Sequence, residues 1–223
     1  LGTRALMWSA DVAIKEDEDD TTSFSGPVAF GTVAVSLLFG IGLFFVLPTA
    51  AASGIDSLLG WKDVPFLVNL TEGAIRLLLL LAYLSLIALM PDVKRLFGYH
   101  GAEHKTINAY EAGAELTPEN VAKYPIEHPR CGTAFLLTVF LVSVLVFGVL
   151  GRPSFIWLVI SRVLLVPVIA GISYEIIRFT AKNLHNPIIR FLIIPNLALQ
   201  HLTTRQPDLQ MIEVAIASFK RVL

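Results

Sequence analysis

The chain alternates long uncharged apolar runs with shorter polar stretches, and four of these runs are long enough to predict membrane-spanning helices. A helix needs roughly 20 apolar residues to cross the hydrocarbon layer of a bilayer. The pattern therefore predicts an all-α fold, a multi-pass membrane helical bundle of about four spans, because helices satisfy their own backbone hydrogen bonds in lipid. The candidate spans cover residues 28–50, 66–90, 134–150 and 154–177.

Two further apolar segments do not fit the pattern of a span. Residues 188–199 are too short to cross, so we expect this segment to be interfacial, re-entrant or packed on the bundle. The tail from Asp208 has apolar residues at helical spacing, which predicts a C-terminal amphipathic helix on the membrane or on the other helices. Thr203, Thr204 and Arg205 precede Pro207 and are expected to cap this helix. The apolar positions are Met211, Ile212, Ala215, Ile216 and Phe219.

The composition indicates the same class of protein. Hydrophobic residues make up 55% of the chain and charged residues 16%, against about 25% charged in ordinary soluble domains. A soluble core of this size cannot hide so much apolar surface, so the lipid bilayer is the expected partner. The net charge of −1 argues against nucleic acid as a partner, because phosphate binding needs a basic surface. The single cysteine, Cys131, excludes an internal disulfide.

The distribution of Lys and Arg predicts the orientation in the membrane, because these residues are enriched in cytoplasmic loops. The loops at residues 51–65 and 151–153 carry one each, the loop at residues 91–133 carries five, and the tail after Ile177 carries six. With an even number of spans, the central loop and both ends are expected to face the cytoplasm.

The whole chain, residues 1–223, is expected to form a single membrane domain whose loop at residues 91–133 carries the candidate site. The chain begins Leu1-Gly2-Thr3 without an initiator methionine or a signal-peptide pattern. It is therefore expected to be a fragment lacking the native N-terminus. Small residues on the first span would allow close helix packing, which leaves a homo-oligomer open. They are Gly31, Ser36, Gly40 and Gly42.

The first half of the candidate site is the pattern H-x-x-E-H at residues 100–104. The segment from Asp92 to Glu111 has no proline and is expected to be helical, ending at Gly113. Residues four apart share one face of a helix, so His100 and His104 can bind one metal ion. The neighbouring Glu103 could then act on water as a general base.

The second half is the sequence His-Pro-Arg-Cys-Gly at residues 128–132. It is similar to a zinc-ribbon knuckle in which histidine replaces the first cysteine. Proline sets the turn, and glycine lets backbone N–H groups face the thiolate. His100, His104, His128 and Cys131 are therefore the candidate ligands. Zinc is the expected cofactor, because thiolate and imidazole suit Zn²⁺.

The number of ligands decides between a structural and a catalytic metal. Four protein ligands close a tetrahedral site, whereas three leave a position for water. If His104, His128 and Cys131 bind, His100 faces the substrate and Glu103 becomes the general base. The alternative role of Glu103 is a carboxylate that orients a histidine.

Other charged residues are candidates for a supporting role. Glu175 lies at the end of the fourth span, either as an outer partner of the site or in a local pair with Arg178. Glu72 and Arg76 are four residues apart in the second span, where they form a structural pair or line a polar path. Arg130 could steady negative charge that develops on a substrate.

Five sequence strings together resemble the YqhQ-like family of bacterial integral membrane proteins, a domain of unknown function described as predicted metal-dependent enzymes. The resemblance covers essentially the whole chain and implies a protein of the bacterial cytoplasmic (inner) membrane. It supplies no substrate. Family members also carry a preceding segment with a Gly-Gly-Gln-Ala motif, which this sequence lacks. The strings occupy residues 99–105, 116–120, 128–133, 202–205 and 213–216.

Three functions remain open from the sequence. The first is a membrane-embedded zinc-dependent hydrolase that acts at the cytoplasmic face on a peptide or lipid-linked substrate. The second is a non-enzymatic scaffold, assembly factor or transport component with a structural zinc site. The third has no metal, and the Glu72–Arg76 pair would be the functional feature, as in a small transporter.

Overall fold

A computed structural model describes residues 7–12, 27–60, 64–150 and 155–223. Within these ranges all regular structure is helical and no strand is present, so the predicted all-α fold is confirmed. The chain divides into two compact units, residues 1–51 and 52–223, which are described separately. The prediction of a single membrane domain stays a prediction.

The first unit contains a short helical segment at residues 7–12 and one long apolar helix. Helix α1, Pro27–Ile41, continues through a five-residue π-helical turn, Gly42–Val46, into α2, Leu47–Leu59. The second of these helices crosses the division between the units. It ends at Gly60, whose φ of 68° is a left-handed conformation that glycine adopts without strain.

Three long helices form the apolar part of the second unit. They are α3, Pro65–Ile87, α6, Gly132–Leu150, and α7, Phe155–Lys182. Helix α6 packs against both of the others. The Asn69 side chain of α3 donates a hydrogen bond to the carbonyl of Phe147 in α6, 3.1 Å away. At the same contact, Gly73 leaves room for Val144.

Four helices within the described residues are long and apolar enough to cross a membrane, which is the predicted number. The first extends beyond the predicted end at residue 50 to Leu59, where Gly60 follows at positive φ. The fourth extends beyond residue 177 to Lys182, and a basic residue suits the negative end of a helix dipole. The candidate spans are Phe30–Leu59, Phe66–Ile87, Gly132–Leu150 and Leu164–Lys182.

The loop between the second and third of these spans folds around a polar helix. Helix α4, Pro91–Glu111, has proline in its first turn and is followed by Gly113 at φ 71°, as the sequence predicts. A single turn, α5, covers Pro118–Val121. The loop that carries the candidate site is therefore an ordered helical structure.

The C-terminal helix α10, Leu209–Lys220, packs on α4 and α5. The amphipathic helix was expected to lie on the membrane or on the other helices. The structure shows that it packs on other helices. Asp208 caps its first turn by accepting from the Met211 N–H, so the expected capping by Thr203, Thr204 and Arg205 is wrong. The shared core consists of Ala102, Ala109, Val121, Ile212 and Ile216.

Two short helices lead into this C-terminal region. Helix α8 covers Pro187–Leu192, and helix α9, Ile194–Gln200, packs against α6. The chain then crosses α4, where the Arg205 N–H donates to the Phe97 carbonyl at 2.9 Å. At this crossing Gly101 approaches the Arg205 carbonyl so closely that a Cβ atom would overlap it.

Candidate metal centre

His100 and His104 lie one turn apart on the same face of α4. Their ring centroids are 4.4 Å apart. His104 is 3% exposed and contacts the segment before Cys131 at Ile126, whereas His100 is half-buried. The i,i+4 spacing therefore brings the two imidazoles together, as the pattern predicts.

Both imidazoles are held by backbone carbonyls through their Nδ1 atoms. His100 Nδ1 lies 2.8 Å from the Thr203 carbonyl, and His104 Nδ1 contacts the Ile126 carbonyl. A carbonyl can only accept, so each Nδ1 must carry the proton. In the neutral form, each Nε2 is then a bare lone pair that can bind a metal, an arrangement typical of histidine ligands.

The thiol of Cys131 faces these two nitrogens. A tight turn, in which the Cys131 N–H donates to the His128 carbonyl at 3.2 Å, places the cysteine just before α6. Its Sγ lies 3.4 Å from His100 Nε2. It also accepts the Thr133 N–H at 3.4 Å, the backbone contact expected of a knuckle.

The ligand atoms of His100, His104 and Cys131 all lie within 4.8 Å of one another. This group is close enough to bind one metal ion. Two imidazole lone pairs and a thiolate repel one another unless protons or a metal ion lie between them. The donor set therefore fits a metal on its chemistry as well as on its geometry.

The ionisation of Cys131 is unusual for a cysteine that is 5% exposed. Burial opposes the thiolate, but hydrogen bonds from His100, His104 and Thr133 outweigh it and lower the pKa of Cys131 to about 5. The hydrogen bond to Cys131 in turn raises the pKa of His100. Cysteines beside protonated histidines are commonly thiolates at neutral pH, and the thiolate is the form that binds metals.

The fourth predicted ligand, His128, lies next to this group but outside it. Its ring centroid is 6.0 Å from that of His104. Its Nδ1 accepts the Arg130 N–H at 3.4 Å, and its buried Nε2 makes no hydrogen bond with the described residues. The Glu111 carboxylate is 3.5 Å from this Nε2 but is not aligned to bond it. Burial and the nearby His104 lower the pKa of His128.

Gln200 holds the backbone of His128. Its side-chain oxygen accepts the His128 N–H at 2.9 Å and its nitrogen donates to the His128 carbonyl at 2.8 Å. The Gln200 side chain is fully buried. This residue was missed in the sequence analysis, because a lone glutamine in an apolar segment has no spacing signal.

Two further polar side chains of α4 fix the segment that precedes the knuckle. Lys105 donates to the carbonyls of Ala122 and Tyr124, at 3.0 and 2.6 Å. Asn108 donates to the carbonyls of Pro125 and Glu127, at 2.9 and 3.0 Å. Burial lowers the pKa of Lys105. These contacts hold residues 122–127 against α4, and they keep the Ile126 carbonyl in place beside His104.

The remaining acidic and basic candidates lie around the group. Glu103 is exposed on α4 beside His104. Its charge adds a small contribution to the raised pKa of His100, and it only partly offsets the burial that lowers the pKa of His128. Arg130 is exposed and pairs with Glu111. Neither residue belongs to the three-ligand group, and their catalytic roles stay predictions.

The other candidate residues, in α3 and α7, form ion pairs within their own helices. Glu175 pairs with Arg178 at 3.3 Å, and both side chains are exposed. Glu72 accepts from Arg76 at 2.8 Å and is 2% exposed. The structure therefore does not bring Glu175, Glu72 or Arg76 to the His100, His104 and Cys131 group.

The fold and the site together define a helical protein with four helices able to span a membrane and a His₂Cys group able to bind a metal ion. The chain belongs to the family described as "Protein of unknown function (DUF1385)", whose model matches residues 1–223. It is 36% identical over 217 residues to "Uncharacterized protein YqhQ" of Bacillus subtilis (strain 168), covering 96% of this chain and 67% of that protein. No solved structure matches significantly. The family resemblance inferred from the motifs is confirmed.

Proposed function

We propose that the protein is a membrane-embedded zinc-dependent enzyme, a hydrolase that acts at the cytoplasmic face on a peptide or lipid-linked substrate. The observation that carries the proposal is the number of ligands: His100, His104 and Cys131 form a group of three. Catalytic zinc sites have three protein ligands and keep a position for water or substrate, whereas four ligands close a structural site. The half-burial of His100 supports access from solvent.

The donor set and the charge pattern support the metal and the location. A thiolate with two imidazoles suits zinc better than the hard cations that prefer oxygen. The excess of Lys and Arg in residues 91–133 and in the tail supports a cytoplasmic site. The match to a protein of Bacillus subtilis supports a bacterial source, and the four candidate spans support a location in the cytoplasmic membrane.

The bound metal would supply Lewis acidity that activates water and polarises a carbonyl or phosphoryl oxygen. The carbonyls of Thr203 and Ile126 orient His100 and His104, so that both Nε2 atoms are available as ligands. Glu103 is the proposed general base. Its exposed carboxylate can meet water, and its charge reaches the rings of His100 and His128.

A specific observation supports a second candidate, a non-enzymatic scaffold, assembly factor or transport component with a structural zinc. The buried Nε2 of His128 makes no hydrogen bond with the described residues. Its Nδ1 accepts the Arg130 N–H, so His128 would become a fourth ligand if its ring turned and the proton left Nε2. A closed site of four ligands would stabilise the loop without catalysing a reaction.

Elemental analysis of the full chain, purified in detergent without chelators, tests the metal. We expect about one zinc ion per chain, lost in His104→Ala and Cys131→Ala but retained in Glu103→Gln and in the exposed control His185→Ala. Absence of stoichiometric metal from the wild type would contradict both candidates.

Cobalt substitution separates the two candidates. If the site is open, addition of a small hydroxamate should shift the ligand-field absorption of the cobalt protein. If four protein ligands close the site, the spectrum should not change. For the enzyme, Glu103→Gln should abolish turnover while metal content is kept.

A further inference from the structure

A second site lies beside the metal centre, in a cleft between the start of α6 and the end of α7. Its volume is about 610 Å³, within the range of about 300–1,000 Å³ that is usual for ligand pockets. Three cationic side chains line it, those of Arg130, Arg178 and Lys182. None of the described residues that line the cleft is acidic.

The apolar side of the cleft is formed by Phe135, Tyr174 and Ile177. Residues 174, 177, 178, 181 and 182 of α7 recur at helical spacing and therefore share one face. This face changes from aromatic and aliphatic at Tyr174 to cationic at Lys182. The cleft is thus amphipathic along the axis of the helix.

The length of α7 sets the depth of the cleft in a bilayer. The helix has 28 residues and is about 42 Å long at the usual rise per residue. The hydrocarbon layer is about 30 Å thick, so the helix exceeds it by about 12 Å. We expect the end that carries Arg178 and Lys182 to reach the headgroups, because charged side chains avoid the hydrocarbon. Arg178 and Lys182 then lie at the level of lipid phosphates, and Tyr174 lies at the upper end of the acyl chains.

The two arginines have carboxylate partners, Glu111 for Arg130 and Glu175 for Arg178. Both pairs are exposed, and such pairs contribute about 1 kcal/mol or less. An incoming phosphate can therefore compete for the free donors of each guanidinium group. Lys182 has no ion-pair partner among the described residues and adds a third positive charge.

From this combination we propose that the cleft binds the headgroup of an anionic phospholipid from the adjacent leaflet, with an acyl chain against Phe135, Tyr174 and Ile177. Charge complementarity selects the phosphate, and the apolar side selects a ligand with a lipid tail. Basic pockets between spanning helices are typical binding places for anionic headgroups. This proposal does not depend on a metal at the neighbouring His₂Cys group.

The test uses native mass spectrometry of the full chain with an equal mixture of phosphatidylglycerol and phosphatidylcholine. We expect the wild type to retain phosphatidylglycerol about tenfold more strongly, a difference of about 1.4 kcal/mol. The variant Arg178→Gln/Lys182→Gln should lose this preference. The matched control Arg190→Gln/Lys220→Gln, whose residues do not line the cleft, should keep it. Arg130 is left unchanged because it adjoins Cys131.

Three outcomes would overturn the proposal. Equal retention of the two lipids by the wild type would exclude recognition of the headgroup charge. An unchanged preference in Arg178→Gln/Lys182→Gln would assign the lipid to another surface. Displacement of phosphatidylglycerol by millimolar inorganic phosphate would identify a site for free phosphate instead. The melting temperature of each variant verifies that it is folded.

Discussion

The Nδ1 atom of His100 lies 2.8 Å from the carbonyl oxygen of Thr203, a residue 103 positions further along the chain. The contact ties the candidate metal centre to the segment that joins α9 to α10. It forms because α4 and this segment approach each other at Gly101, which lies against the Arg205 carbonyl. The tail of the chain is thus part of the support of the metal centre.

The first prediction concerns Gly101→Ala. A Cβ atom at this position would overlap the Arg205 carbonyl, and overpacking of this kind costs about 1–3 kcal/mol. We expect a lower melting temperature and weaker metal binding, because the segment would move away from His100. Thermal unfolding in detergent and metal titration measure the two effects. Gly54→Ala, in open space within a helix, should leave metal binding unchanged and should not lower the melting temperature, because alanine is the better helix former. A Gly101→Ala protein that behaves like Gly54→Ala would contradict the argument.

The second prediction concerns Gln200→Leu, a change of similar volume. It leaves the buried N–H and carbonyl of His128 without the partners they have in the wild type. An unsatisfied buried group costs about 1–3 kcal/mol, so a clear loss of stability is expected. Metal affinity should fall as well, because the turn that places Cys131 loosens.

The matched control for Gln200→Leu is Gln206→Leu, at an exposed position. Chemical unfolding followed by tryptophan fluorescence compares the two variants. A Gln200→Leu protein as stable as Gln206→Leu would show that the two hydrogen bonds to His128 contribute little.

The helices and the histidine pair were predictable because they depend on local patterns. Apolar runs predict spans at any position, and an i,i+4 pair such as His100 and His104 needs only one helix. The proximity of Cys131 required a turn, which Pro129 and Gly132 indicated. Such local patterns correctly predicted that four helices are able to span a membrane and that a helix covers Pro91–Glu111.

The support of the site could not be predicted, because it depends on contacts between distant segments. Gln200 and the carbonyl of Thr203 reach the site only after α9 has packed on α6 and the chain has crossed α4. Backbone carbonyls have no sequence signature. The position of His128 outside the ligand group is likewise set by Gln200, which holds its backbone.

The third prediction separates His128 from the three ligands. His128→Ala should retain close to the wild-type metal content, whereas His100→Ala, His104→Ala and Cys131→Ala should lose it. The reason is geometric, since only the last three place their ligand atoms within 4.8 Å of one another. Loss of metal from His128→Ala, with a melting temperature close to that of the metal-free wild type, would instead indicate a closed site of four ligands.

The fourth prediction concerns the pH dependence of the metal-free protein. The pKa of Cys131 is lowered to about 5, below the value of about 8.5 for a free thiol. Its thiolate therefore contributes stability fully above the pKa of the unfolded thiol, and this contribution is lost as the pH falls through about 5. The pKa of His100 is raised, so its contribution has the opposite sign and is lost as the pH rises through its folded pKa.

Ultraviolet absorbance of the thiolate, in protein treated with a chelator, measures this titration. We expect half-ionisation near pH 5, with Cys131→Ser as the baseline. In His100→Ala the midpoint should move up towards the free value, because a hydrogen bond that stabilises the thiolate is removed. A midpoint near about 8.5 in the wild type would contradict the proposed thiolate.

The last prediction concerns Glu72 and Arg76 in α3, which pair at 2.8 Å with Glu72 buried. Removal of one partner from a buried pair typically costs about 3–5 kcal/mol, whereas replacement of both by apolar residues is often neutral or stabilising. Glu72→Leu alone should therefore be less stable than Glu72→Leu/Arg76→Leu. The exposed pair of Glu175 and Arg178 offers a control, because Glu175→Leu should change stability by only about 0–1 kcal/mol. Unfolding in mixed micelles ranks the variants, and a double variant less stable than Glu72→Leu would indicate that the pair stabilises the bundle beyond mutual charge compensation.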